Sequence, residues 1–79
     1  MRRSKLEIIA EILNYCSSSP KSISEIAKAC NLNHDRAMNL VYFLYERDFL
    51  ELNGTKFVTT NKGKDILSKI IYIYEKVFS

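Results

Sequence analysis

Arg36 and Asn39 are the side chains of this sequence best suited to reading the edge of a polymer by hydrogen bonds. An Asn amide can pair bidentately with adenine, and an Arg guanidinium with guanine or a phosphate. They lie in His34-Asp35-Arg36-Ala37-Met38-Asn39, and Tyr42 and Phe43 follow with rings for thymine methyls or, from the phenol, a phosphate hydrogen bond. On a wheel of roughly 100° per residue, Asp35, Asn39, Tyr42 and Glu46 share the face opposite Ala37, Leu40 and Leu44, with Arg36, Met38 and Phe43 as its flanks. Two readings are open: a face that enters a major groove, and a plain solvated face. Asp35 and Glu46 weigh against the groove, since carboxylates repel phosphates. Asp35 has a structural reason to stand in a first helical turn, where the dipole favours an anion, and Glu46 is expected outside the groove.

The cations divide in the same way. Lys56, near a hairpin tip, can reach the minor groove or the backbone, or it protects a strand edge. Lys62 and Lys64 stand at a helix start, where cations oppose the macrodipole, and a nearby phosphate would explain them. Arg2, Arg3, Lys21 and the adjacent Ser22 are candidates for backbone contacts, with simple solvation as the alternative. His34 is either a phosphate contact or a solvated residue.

Catalytic chemistry finds no support in the same inventory. His34 is the sole histidine, and the two cysteines fall at apolar positions, so no nucleophile-base pair and no zinc ligand set can be assembled. No Gly-rich phosphate loop occurs. The expectation is a protein that is not an enzyme and has no metal or cofactor. Cys16 and Cys30 are read as buried free thiols, with a mutual disulfide as the alternative, which would need an oxidising or hyperthermophile setting.

The elements that must position these groups are legible from spacing. Leu6, Ile9, Ile12 and Leu13, with Ile8 and Cys16 alongside, recur as one face of a helix over residues 4–16. Ser4 and Glu7 form its capping box. Ser17-Ser18-Ser19-Pro20 ends it. Ser22-Ile23-Ser24-Glu25 is a second capping box, opening a short helix over residues 22–30 with Ile23, Ile26, Ala27 and Cys30 inside. Asn31 suits a left-handed C-terminal position, Leu32 points inward, and Asn33 caps a third helix over residues 33–47, whose buried stripe is Ala37, Leu40, Val41 and Leu44. Residues 49–59 read as a hairpin, with Asn53-Gly54 as the central pair of a type I′ turn.

A last helix, residues 61–78, would be about 27 Å long at 1.5 Å per residue. Its apolar residues form two stripes: Ile66, Ile70, Ile73 and Val77 make one, and Leu67, Ile71, Tyr74 and Phe78 the other. Together they cover roughly 160° of the wheel, more than one buried face requires. One stripe can pack on its own domain while the other pairs with a second copy. The expected interface is Ile66, Ile70, Ile73, Tyr74, Val77 and Phe78; the alternative is burial of both stripes in a monomer.

At 79 residues, with 47% apolar and 27% charged side chains, the composition is that of one globular domain rather than a disordered chain. A net charge of +3 suits a polyanion only if the cations cluster. The start of the chain lacks the apolar run of a signal peptide, and the region from Ile66 to Phe78 is too short and too charged to cross a bilayer. The protein is therefore expected in the cytoplasm, associated with the nucleoid and not with membrane.

The order helix, short helix, tight turn, helix, hairpin, helix predicts a mainly α fold with a β-hairpin wing, a winged helix-turn-helix with a long C-terminal helix, in one domain over residues 1–79. The stretch from Glu25-Ile26-Ala27 to Leu44 resembles the helix-turn-helix of MarR-like winged-helix regulators. Arg2-Arg3-Ser4-Lys5 leading into Ile9 and Ile12-Leu13, then Asn31-Leu32, then Thr59-Thr60-Asn61-Lys62-Gly63-Lys64, resemble the small archaeal winged-helix DNA-binding proteins. That resemblance implies duplex-DNA binding, a symmetric dimer and a last helix paired in an antiparallel coiled coil. Asp48 departs from it, standing where such proteins usually carry Gly. The expected function is a homodimeric transcriptional regulator. Two alternatives stay open: an architectural protein with little sequence preference, and a winged helix used for protein assembly.

Overall fold

The computed structural model describes residues 3–78. Helices α1 (Lys5–Tyr15), α2 (Ile23–Ala29) and α3 (His34–Glu46) come first, then strands β1 (Leu50–Asn53) and β2 (Lys56–Thr59), then α4 (Asn61–Ile73), which continues as a π-helical turn over Tyr74–Phe78.

Each helix starts at a side chain that satisfies a backbone N–H left free by the first turn. Ser4 and Ser22 each complete a reciprocal capping box with the Glu three residues on. Asn33 accepts from the Arg36 N–H at 2.8 Å, and Thr60 from the Gly63 N–H at 2.9 Å. The ends of α2 and α3 repeat one device. Asn31 and Asp48 take left-handed φ values of 55° and 64°. The next amides, of Leu32 and Phe49, then reach back to the carbonyls of Ala27 and Leu44 at 2.8 and 3.0 Å. This is the Schellman arrangement, and it turns Leu32 and Phe49 back onto the core.

The hairpin differs from the expectation at its turn. Asn53 pairs with Lys56 as the last rung of the ladder, so the two turn residues are Gly54 and Thr55. Gly54 has φ +69°, whereas Asn53 and Thr55 lack positive φ. Positive φ at the first turn residue alone marks a type II′ turn, which asks for one glycine where type I′ asks for two tolerant residues. Lys21 adds a bridge to β2, exchanging both backbone bonds with Phe57 at 2.8 Å.

The core gathers Ile8, Ile9, Ile12 and Leu13 of α1, Ile26 of α2, Leu40, Val41 and Leu44 of α3, then Leu50, Phe57, Leu67 and Ile70, with Cys16 and Cys30 among them. Leu6, expected on the inner face of the first helix, is exposed, because it lies at the margin of the arc that Ile8, Ile12 and Leu13 define. Thr59 locks α1 to the hairpin. Its buried hydroxyl donates to the Leu13 carbonyl at 2.6 Å and its amide to the Cys16 carbonyl at 3.0 Å, two acceptors that the end of α1 leaves free. Gly63 lets α4 approach: a Cβ there would lie 2.2 Å from the Phe49 carbonyl oxygen and 2.8 Å from Thr59 Cγ2.

The inward row of α4 is Gly63, Leu67 and Ile70, with Ile66 and Tyr74 half-buried against the core. It takes residues from both predicted stripes. Ile70, expected in a dimer seam, is only 6% exposed and belongs to the core of its own domain. Ile66 and Tyr74 likewise face their own domain, and the Tyr74 hydroxyl meets Ser4 Oγ at 2.8 Å. The apolar side chains left outside are Ile71, Tyr72, Ile73, Val77 and Phe78. Beyond Ile73 the π-helical turn ends the 100° stepping on which the wheel relied, since i→i+5 bonding inserts a residue. Among the described residues, no helix is long and apolar enough to cross a membrane.

Candidate nucleic-acid interface

α3 is held by its buried stripe of Ala37, Leu40, Val41 and Leu44, so the opposite side must face solvent. His34, Asp35, Arg36, Asn39, Tyr42 and Glu46 are all exposed, and Met38 is half-buried. Arg36 and Asn39 line one shallow depression, together with Asp35, Asn33 and Lys5 from the start of α1. The depression is thus a two-helix feature. The Tyr42 ring meets Phe57 edge-on at 6.0 Å, and Tyr45 does the same at 5.9 Å. These contacts fix the angle between α3 and the hairpin.

Phe43 departs from the predicted role. Its ring is half-buried against the core, and two cations lie over it, Lys5 Nζ at 4.6 Å from the centroid and Arg47 Cζ at 3.7 Å. A ring so covered serves as a platform for cations and is not free to meet a thymine methyl. Neither Lys5 nor Arg47 was singled out by the sequence. The signal for Arg47 was its place one helical turn after Phe43; Lys5 has no local signal, since it reaches Phe43 only through the packing of α1 on α3.

The remaining predicted cations fall into two groups. Arg3 is engaged structurally: it is half-buried, forms an ion pair with Glu11, and donates to the Asn31 carbonyl at 3.3 Å. It ties α1 to the turn between α2 and α3 and is not a free backbone contact. Lys21 is folded back, its ammonium 2.7 Å from Ser19 Oγ and 4.7 Å from the Tyr15 ring centroid. Lys56 lies 3.5 Å from a carboxylate oxygen of Glu25, linking the hairpin to α2. The Ser22 backbone and hydroxyl hydrogen bonds, with a smaller contribution from Lys56, hold the Glu25 carboxyl below its usual range. Ser22 accepts from the Glu25 amide at 3.1 Å, so its hydroxyl is engaged as a helix cap. Lys62 and Lys64 are exposed, Lys62 with its ammonium 5.3 Å from the Phe49 ring centroid. Arg2 lies outside the described residues.

Cys16 and Cys30 are both free and buried. Burial pushes the Cys16 thiol up to about 12, with Cys30 adding to the rise. Burial also raises Cys30, with Glu11 contributing. Thiols that stay protonated at neutral pH are poor nucleophiles and poor ligands, which fits packing rather than chemistry.

Two short helices joined by the Asn31-Leu32 turn, the second presenting an exposed polar face beside a two-stranded hairpin, define a winged helix-turn-helix protein. The chain belongs to that family: the winged helix-turn-helix family model matches residues 2–77. An uncharacterised protein of Methanocaldococcus jannaschii is 30% identical over 74 residues, which take in 94% of this chain and 76% of that one. Among solved structures, CalO1, a methyltransferase in calicheamicin biosynthesis crystallised with SAH bound, superposes with a TM-score of 0.66 at 17% identity. That match covers 85% of this chain and 22% of the methyltransferase. It is a likeness of fold, confined to about a fifth of the larger protein. Membership of the winged helix-turn-helix family points to DNA binding.

Proposed function

We propose that the protein binds duplex DNA as a homodimer and acts as a transcriptional regulator, with α3 of each protomer in a major groove. The observation that carries this reading is the solvent-facing set of Arg36, Asn39 and Tyr42 on α3, the helix that occupies the reading position of a helix-turn-helix. Asn39 is the base reader and Arg36 its neighbour on guanine or phosphate. Lys62 and Lys64 contribute backbone contacts. Lys56 is shared between DNA and Glu25, so its contribution is smaller than its position near the hairpin turn suggests. The second copy docks through the exposed apolar residues of the C-terminal helix.

A titration of labelled duplex at two salt concentrations tests the reading. Affinity should fall steeply with salt, because each neutralised phosphate releases counterions; no binding at low salt would sink it. Selection of bound duplexes from a random pool should return a short palindrome, and Asn39→Ala should relax preference at one position by about 1–3 kcal/mol. Protection that spreads along any sequence with rising concentration would favour the architectural role instead.

A further inference from the structure

We propose that Lys5 and Arg47 form a phosphate clamp on one flank of α3, with the Phe43 ring as its platform, so that one strand of a bound duplex passes over the start of α1. The proposal rests on the duplex-DNA reading above and assigns the contact to residues outside the reading face.

The geometry supports it in three ways. First, Arg47 is already held in place. Its guanidinium stacks on the Phe43 ring at 3.7 Å, and Nη1 donates to the Phe43 carbonyl at 3.1 Å. A guanidinium has five N–H donors, so most remain free for phosphate oxygens, and a side chain already ordered loses less entropy on binding. Second, Lys5 approaches the same ring at 4.6 Å, yet among the described residues neither cation forms an ion pair. Two like charges gathered on one ring repel, and an anion placed between them relieves that repulsion.

Third, the cations are aligned. Arg36, Phe43 and Arg47 fall within roughly 20° of one line along α3, and Arg36 and Arg47 are separated by about 16 Å of helix axis. Lys5 lines the same depression as Arg36 and Asn39, where Asp35 supplies the opposing charge. A positive line beside a base-reading face is where the sugar-phosphate strand bordering a major groove must run. The other flank carries Tyr45, edge-on to Phe57, and offers a ring in place of a cation.

The test is the salt dependence of duplex binding for the full chain and for Lys5→Gln, Arg47→Gln and the double variant. Lys69→Gln serves as the control, since Lys69 sits on α4 paired with Asp65. Each clamp substitution should lower the slope of log K against log salt by about 0.9, and the pair by about 1.8. The loss should be equal on preferred and random sequences, and Lys69→Gln should leave the slope unchanged. Phe43→Leu keeps every charge and should still lower the slope, because the cations lose the surface that holds them. Lys5→Arg with Arg47→Lys should retain it, which separates lost phosphate contacts from a damaged fold. If the Gln variants keep the slope of the unaltered protein, the clamp is overturned while the DNA reading stands. If the unaltered protein fails to bind at low salt, both are overturned.

Discussion

Asp48 shows how a single residue can be placed correctly and still be a poor choice for its place. Its φ of 64° is required by the Schellman end of α3, which returns the Phe49 amide to Leu44. An L-residue in that conformation costs about 1–2 kcal/mol, less for Asp or Asn, whose short side chains bond locally. Among the described residues the Asp48 carboxylate has no ion-pair partner, and its carbonyl, which accepts from Thr60 Oγ1 at 2.6 Å, does not depend on the side chain. Asp48→Gly should therefore raise the unfolding free energy by up to about 1 kcal/mol, read from the denaturant midpoint at unchanged m-value. A lower midpoint would show that the Asp side chain has a partner in solution. Asn31 was legible as a left-handed position because so few residue types accept positive φ, whereas Asp48 stood out only through the resemblance, as a place where Gly is usual. Asn53 was misplaced for the same reason: it tolerates the conformation without requiring it, and the register moved the turn one residue on, to Gly54.

At the scale of elements, what the sequence conveyed depended on how local each cause was. Caps, boxes and helix ends involve residues three or four apart, so Ser4, Ser22 and Asn33 were readable as helix starts. The contacts that assemble those elements are not local. The Thr59 hydroxyl reaches Leu13 across 46 positions, and nothing in the hairpin pattern distinguishes it from a surface threonine. Thr59→Val keeps shape and strand propensity but leaves a buried carbonyl unpaired, so it should cost about 1–3 kcal/mol. Thermal unfolding checks this, and a loss below a few tenths would mean that water replaces the bond. The candidate site divides along the same boundary. The exposed face of α3 followed from its own period, whereas the cations on Phe43 required knowing that α1 lays Lys5 beside α3. Arg3 was misread for that reason too, since Glu11 and the Asn31 carbonyl become its neighbours only in the folded chain.

At the scale of the whole molecule, the proposed pairing through the C-terminal helix would decide how much DNA one assembly can hold. Ile73, Val77 and Phe78 are 44%, 65% and 69% exposed, an apolar group that a lone protomer leaves in water and a second copy can cover. The wheel placed the seam partly on Ile70, but a charge there would break the protomer's own core, and the resulting monomer would say nothing about pairing. Ile73→Glu with Val77→Glu spares the core. This variant should sediment as a folded monomer where the unaltered chain sediments as a dimer; a monomeric unaltered chain, or a variant that remains dimeric, would remove the seam. The same variant links oligomer to function. A net charge of +3 per chain is small for a polyanion ligand, and two cations are already paired within the fold, Arg3 with Glu11 and Lys56 with Glu25. Pairing doubles the phosphate contacts without adding charge to either chain, so the monomeric variant should show about half the salt slope of the dimer. An undiminished slope would mean that one protomer carries the whole interface and that α4 has no part in DNA binding.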